Sequence, residues 1–173
     1  MHEQPDFPIE VEGNAESQAA APSPNAIADA FARIGARVLE REIGGPATWV
    51  SETEQPVTVN LGVKALVGMA GSFRGSVTYA MDRETARSIY ARMSGDKSAA
   101  FDELAHSAIG ELANMISGRG TIALERLGYS CDITPPVLII GEGVRINTVA
   151  NRHEYAHIDC VVGRITIDAG IDT

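Results

Sequence analysis

The chain has 173 residues, enough for one domain with its own hydrophobic core, and 45% of them are hydrophobic, as in globular proteins. Its net charge of −9 argues against nucleic acid and against an anionic membrane surface as partners. The sequence has no apolar run of about 18 residues and no signal-peptide pattern, so we expect a cytoplasmic protein without membrane-spanning segments.

Residues 1–23 differ in composition from the rest of the chain. They contain five acidic residues and neither Lys nor Arg, and a run of alanines precedes Pro22. Such a segment buries too little apolar surface to offset the entropy lost on ordering it. The composition therefore predicts an acidic disordered tail over residues 1–23 and one folded domain over residues 24–173.

The first half of the predicted domain reads as a helix, several strands and a second helix. Ser23 and Pro24 suit an N-cap and a first helical position, and apolar residues then recur at helical spacing to about Glu42. Apolar patterns predict three strands, at 57–63, 65–70 and 76–81. Asp82 is placed to cap a helix over 83–93.

A long helical segment from about Ala99 to Leu127 opens the second half. Gly120 lies within it, and a glycine there is expected to kink or shorten the helix. Five further strands are predicted, at 129–133, 137–140, 144–146, 154–162 and 164–169. This order of elements predicts an α/β domain of the α+β kind, with a mostly antiparallel sheet packed against long helices.

The stretch 102–118 of the long helix carries an unusual combination of residues. At about 100° per residue, one of its faces holds a set of polar or small residues, namely Ser107, Glu111, Asn114 and Gly118. An exposed Glu and Asn are common on solvated helices, so the pattern alone leaves a structural role open. Asn and the nearby Gly110 lower helix stability, which favours a functional role. Small neighbours, including Ala113 and Ser117, are expected to leave this face low enough for a partner to approach.

The same residues resemble a family signature. The run Ser107-x-x-x-Glu111-x-x-Asn114, followed later by Pro135-Pro136, is similar to that of the CheC/CheX/FliY phosphatases of bacterial chemotaxis. The stretches 108–118 and 133–141 look most like CheX, and the resemblance covers about residues 25–170. Because Glu-x-x-Asn occurs once in the chain, the resemblance implies the single-site arrangement of CheX rather than the two-site arrangement of CheC.

The resemblance implies a protein phosphatase that hydrolyses the phospho-aspartate of a CheY-like response regulator. Glu111 would pair with the active-site lysine of that regulator, and Asn114 would orient the attacking water. Ser107, Gly110 and Gly118 would contact the partner or give it clearance. The phosphatase would need no cofactor of its own, because the regulator would supply Mg²⁺, and it would form a homodimer through its sheet.

Two other interpretations of the same resemblance stay open. A non-catalytic module could bind a response regulator through the same helix without hydrolysis. A structural relative from the flagellar switch is a third interpretation, which the lack of further domains disfavours.

The remaining reactive side chains do not form a convincing site in the sequence. His153 and His157 would share one face of a strand while Cys160 points to the other, so we predict no metal site there. Cys131 and Cys160 are expected to be buried thiols without a disulfide, as is usual in the cytoplasm. Trp49, the single tryptophan, is expected to serve packing.

Overall fold

The computed structural model describes residues 25–172, so the predicted tail at 1–23 lies outside the described residues and stays a prediction. Within them the chain forms three helices and seven strands. In chain order these are α1 (Ala26–Ile43), β1 (Ala47–Glu52), β2 (Val63–Gly71), β3 (Arg74–Met81), α2 (Arg83–Ser94), α3 (Glu103–Glu125), β4 (Cys131–Ile133), β5 (Val137–Ile140), β6 (Arg152–Cys160) and β7 (Gly163–Asp172). Among these helices, none combines the length and the apolar character that crossing a bilayer requires.

The strands form one sheet in the order β1-β6-β7-β3-β2-β4, and β5 also pairs with β2. Every pairing in the sheet is antiparallel, which confirms the predicted α+β architecture. Alternate residues of the central strands point to the helices, and the helices close the core from that side. The sheet order places β1 at one end and the β4–β5 segment at the other.

The first helix is capped from a distant strand. Its N-cap is Asn25, whose side chain makes no cap bond to the helix and donates instead to Ser51 Oγ (3.1 Å) and the Glu52 carbonyl (2.5 Å). The first helical amides, of Ile27 and Ala28, donate to Glu154 Oε2 on β6 at 2.7 and 3.0 Å. The described helix thus has Asn25 as its N-cap, and the predicted start at Ser23-Pro24 lies outside the described residues.

Burial raises the pKa of the Glu154 carboxyl, and the two helix amides oppose that effect. Arg152 Nη2 lies 3.0 Å from Glu154 Oε1 and adds a charge partner at the rim. A single acidic side chain thus satisfies orphan amides of α1 and ties this helix to β6. No local sequence pattern contains this contact, because the residues are far apart in the chain.

Two strand predictions are wrong, and one strand of the sheet is missing from the predictions. Residues 57–63 form mainly a turn, with the Leu61 amide donating to the Thr58 carbonyl at 3.0 Å, and Val57 is 78% exposed. The segment 144–146 is also not a strand, and the Gly143 amide that precedes it donates to the Val59 carbonyl. Strand β1 was not predicted at all. Alternating apolar residues wrongly predict strands at 57–63 and 144–146, because alternation does not show whether a segment has a neighbouring strand to pair with.

Other boundaries are close to those predicted. Asp82 caps α2 through the amide of Thr85 (2.6 Å), as expected. The long helix runs over Glu103–Glu125 with Gly120 inside it, so Gly120 does not shorten it. The reason for this glycine is packing, since a Cβ there would lie 2.4 Å from ring atoms of the buried Phe31 on α1.

We predict that Gly120→Ala destabilises the protein although alanine favours helices. The added methyl group must displace the Phe31 ring, and such overpacking typically costs about 1–3 kcal/mol of unfolding free energy. Gly118→Ala is the matched control, because nothing lies within 4 Å of its Cβ position. Urea denaturation should show unchanged or higher stability for Gly118→Ala, by up to about 1 kcal/mol. Equal stabilities of the two variants would contradict the packing explanation.

Candidate functional site

An open groove of about 430 Å³ lies between α3 and the segment that joins β4 to β5. Its lining residues are Gly110, Glu111, Asn114, Ile133, Thr134, Pro135 and Pro136. The fold thus places Glu111 and Asn114 opposite Pro135-Pro136. In the sequence, only the family resemblance connects these two motifs.

The orientation of α3 follows from its two unlike faces. Asp102 caps the helix by accepting from the amides of Leu104 (3.1 Å) and Ala105 (3.2 Å). The apolar stripe of α3 is buried at Ile109, Leu112 and Ile116. Burial of this stripe leaves the opposite face, with Glu111 and Asn114, exposed above the groove.

The predicted site residues do not all lie in the groove. Gly110, Glu111 and Asn114 line it, whereas Ser107 and Gly118 lie on the same side of the helix but beyond its lining. Ala113 and Ser117 are buried, so the expectation that they belong to the open face is wrong. A period of 3.6 residues puts them at the margin of the face, and contact with the sheet decides the side on which they fall.

Packing among residues 25–172 does not explain the glycines at 110 and 118. A Cβ added at either position would have no heavy atom within 4 Å. Glycine in a helix interior lowers stability by about 1 kcal/mol relative to alanine. The helix therefore keeps a low profile beside Glu111 and Asn114 at a cost in stability, and a partner's backbone can approach closely.

The side chains of Glu111 and Asn114 make no hydrogen bond within residues 25–172. An ionised carboxylate accepts only, and it forms its strongest bonds with a cationic donor. The Asn amide both donates and accepts, so it can hold a water in one orientation. The pair can thus offer one charged anchor and one polar group that directs a small molecule.

A buried hydrogen bond anchors the back of α3 to the sheet. Tyr79 Oη on β3 lies 2.9 Å from Ser117 Oγ, and both side chains are buried. Burial raises the pKa of Tyr79 far above its ordinary value, so the phenol stays protonated. Ser117 follows Asn114 by three residues, and this bond therefore restrains the helix near the Asn side chain.

The sequence predicts only part of the opposite wall of the groove. The resemblance points to Pro135 and Pro136 but gives Ile133 and Thr134 no role in the site. Thr134 contacts β2 through both its backbone and its hydroxyl, with the Thr134 amide 3.0 Å from the Gly68 carbonyl. The two prolines are the sequence signal that points to Thr134. Because a proline has no N–H group to donate to the next strand, a neighbouring residue must make the hydrogen bonds that hold this segment to the sheet.

His153, His157 and Cys160 make their contacts outside the groove. His153 Nδ1 lies 2.7 Å from Asp168 Oδ1, and His157 contacts Glu52 and Asp159. Cys160 Sγ donates to the Gly163 carbonyl at 3.2 Å, and both cysteines are free, half-buried thiols. Across residues 25–172, no group of three or more His, Cys, Asp or Glu side chains is placed to hold a metal ion.

Comparison with known proteins gives a consistent picture. The family model described as "Chemotaxis phosphatase CheX" matches residues 63–160. The "CheY-P phosphatase CheX" of Thermotoga maritima is 39% identical over 111 residues, which cover 64% of this chain and 68% of that protein. The matched span includes the whole of α3 and both walls of the groove.

Solved structures share the fold. The crystal structure of chemotaxis protein CheX from Vibrio vulnificus has a TM-score of 0.75 at 21% identity, covering 84% of this chain and 99% of that one. A CheX-CheY-BeF3-Mg²⁺ complex from Borrelia burgdorferi has a TM-score of 0.70 at 23% identity, covering 84% and 97%. At these identities the structures establish a common fold.

We predict that Tyr79→Phe lowers the unfolding free energy by about 1 kcal/mol, because the buried Ser117 hydroxyl loses its partner. Tyr90→Phe is the control, since the hydroxyl of the half-buried Tyr90 has no hydrogen bond within residues 25–172. Urea denaturation of the two variants measures the difference. Equal stabilities would show that the Tyr79 hydroxyl does not secure α3.

Proposed function

The chain belongs to the chemotaxis phosphatase CheX family, and on that premise we propose that it hydrolyses the phospho-aspartate of a CheY-like response regulator. The observation that carries the proposal is the groove in which exposed Glu111 and Asn114 face Pro135 and Pro136. The Thermotoga maritima relative is named as a CheY-P phosphatase, which supports the same substrate for this chain.

Glu111 acts as the docking residue in this proposal. Its carboxylate is exposed and makes no hydrogen bond within residues 25–172. A lysine in the regulator's active site would satisfy this carboxylate with a charge-assisted hydrogen bond. Because the carboxylate projects from a rigid helix, that bond would also fix how the two proteins align.

Asn114 orients the water that attacks phosphorus. The water oxygen forms a new bond to phosphorus as the bond between phosphorus and the aspartate oxygen breaks, releasing inorganic phosphate and a free carboxylate. The amide of Asn114 would hold the water in line with the departing oxygen. Phosphoryl transfer depends mainly on positioning and charge stabilisation, so a residue that is not a base can still accelerate it strongly.

The small residues of the same face complete the proposed interface. Gly110 lines the groove, and Ser107 and Gly118 lie on either side of the Glu-Asn pair along the helix. With no side chain at 110 or 118, the helix can enter a narrow active site. These three residues would contact the regulator or give it room without taking part in the chemistry.

The metal ion would come with the substrate. Phosphoryl groups in transfer reactions are commonly neutralised by Mg²⁺. The Borrelia burgdorferi complex contains CheX, CheY, BeF3 and Mg²⁺, which supports Mg²⁺ as part of the regulator's site. We therefore propose that the phosphatase carries no cofactor of its own and that it works in the cytoplasm, where a soluble regulator would be available.

We predict that Asn114→Ala lowers kcat for phosphate release by about 10²-fold, because the attacking water loses its orientation. Glu111→Ala should instead raise KM by about tenfold, because docking loses a charge-assisted contact. Phosphate release from a panel of phosphorylated receivers measures both constants.

Two exposed positions outside the groove provide matched controls for these variants. Glu125→Ala and Asn60→Ala make the same chemical changes elsewhere on the surface and should behave as the parent. If the double substitution at 111 and 114 dephosphorylates receivers as fast as the parent, the site assignment is wrong. If the parent binds a beryllofluoride-activated receiver but never accelerates phosphate release, the non-catalytic module is the correct alternative.

We further propose a homodimer that forms through β1. This strand pairs only with β6 in the described sheet, so its other edge has backbone groups available for a second strand. Trp49 and Val50 on β1 are 37% and 47% exposed, which gives the edge an apolar surface. Two antiparallel copies of β1 can meet across a two-fold axis, and both grooves then stay open at the far ends of the joined sheet.

Val50→Lys should shift the protein toward monomer, because a lysine at the pairing edge must be desolvated in the dimer. Val57→Lys is the control, since Val57 is 78% exposed in a loop. Analytical ultracentrifugation over a concentration series measures the mass. A parent that sediments as a monomer, or a Val50→Lys variant that stays dimeric, would contradict dimerisation through β1.

A further inference from the structure

We propose that Thr134 is a positioning residue of the phosphatase groove, and that its hydroxyl group sets the place of Pro135 and Pro136 opposite α3. The inference rests on the proposed function, because the groove must receive the regulator for the proline wall to matter. Thr134 would act through the prolines and would not touch the reacting atoms.

The proline wall occurs where the pairing with β2 is irregular. Strands β4 and β5 both pair with β2, with Met69 opposite Ile133 and Leu66 opposite Val137. Between these pairs, two residues of β2 face the three residues 134–136. The extra residue makes this a bulge, and a bulge redirects the side chains beside it. Here it turns the prolines toward α3.

This bulge has fewer backbone hydrogen bonds to β2 than a regular strand pair, because it contains two prolines. Neither Pro135 nor Pro136 has an N–H group to donate to β2. Thr134 supplies the contacts that remain. Its amide donates to the Gly68 carbonyl at 3.0 Å, and its Oγ1 accepts from the Gly68 amide at 2.9 Å.

The hydroxyl of Thr134 has a second bond that reaches the wall itself. Oγ1 donates to the Pro135 carbonyl at 3.2 Å while it accepts from Gly68. A Thr or Ser hydroxyl can accept and donate through one oxygen atom at this place. The hydroxyl thus replaces a backbone acceptor in the ladder and holds the first proline at the same time.

Gly68 is the matching half of this contact. A Cβ at position 68 would lie 3.1 Å from both Oγ1 and Cγ2 of Thr134, closer than ordinary contact allows. A larger residue would push Thr134 away from β2 and move the prolines with it. Gly68 and Thr134 therefore form one unit, which we call the Gly68–Thr134 clamp.

The clamp determines the width of the groove. One wall is α3, restrained by the core and by Tyr79, and the other wall is the proline pair, restrained by the clamp. Since a proline ring fixes its own φ angle, the wall is stiff once Thr134 is held. Loss of the hydroxyl frees the wall to shift, while Glu111 and Asn114 keep their places on the helix.

The test compares two substitutions that differ in the hydroxyl group. Thr134→Val keeps the shape and removes the hydroxyl, and Thr134→Ser keeps the hydroxyl and removes a methyl group. We expect Thr134→Val to lower kcat/KM for phosphate release by about tenfold, mainly through KM, since docking must then restore the wall position that the lost internal hydrogen bonds no longer hold, at a cost of about one hydrogen bond. Thr134→Ser should keep most of the parent kcat/KM. Thr148→Val is the control, since Thr148 bonds His153 away from the groove.

Two readouts separate the clamp from simple loss of stability and from failure of the proposed function. Hydrogen exchange at the Gly68 amide should speed up in Thr134→Val and stay slow in Thr134→Ser, which tests the clamp without any partner. The affinity for a beryllofluoride-activated receiver should fall in Thr134→Val alone, even if no receiver is dephosphorylated by the parent. Equal KM, affinity and exchange for the Val and Ser variants would overturn the proposal, as would a kcat loss with unchanged KM.

Discussion

The contact between α1 and α3 is the constraint on which the rest of this structure depends. At Gly120 the two helices approach so closely that no side chain fits between the α3 backbone and the Phe31 ring. On α1, a Cβ at Gly35 would lie 2.5 Å from Ile158 Cδ1 on β6, so this helix packs just as closely against the sheet, and it would meet Ile116 on α3 at 3.5 Å. With α3 held between α1 and the sheet, its rotation about its own axis is fixed, because any turn would expose the apolar stripe. The exposed positions of Glu111 and Asn114 follow from this packing.

The groove combines two elements that are stabilised by different means. The helix carries Gly110, Asn114 and Gly118, each of which weakens it, and the Asp102 cap, the Tyr79–Ser117 bond and the buried stripe offset this loss. The proline wall has few backbone bonds and depends on Thr134. A site built on such supports can present unpaired polar groups in a fixed geometry, which a water-positioning mechanism requires.

The order of strands separates the proposed roles of the protein along one sheet. Strand β2 supports the groove at one end, whereas β1 at the other end pairs only with β6 among residues 25–172. The β6 strand links β1 to the core, and Glu154 on β6 caps α1, so the edge and the helix layer are tied to each other. A dimer formed through β1 therefore need not disturb the α3 groove.

The sequence by itself determined the helix that carries the site and the face on which Glu111 and Asn114 lie, because helical periodicity is a local property. It also determined the antiparallel α+β class and the cap at Asp82. Tertiary structure alone decided three things: that Glu154 on β6 caps the first turn of α1, that residues 47–52 and not 57–62 form a strand, and that Ser117 faces Tyr79. It also brought Thr134 and the prolines to the groove. Each of these depends on contacts between residues distant in the chain, and no local pattern of hydrophobicity or turn residues encodes which distant segment supplies the partner.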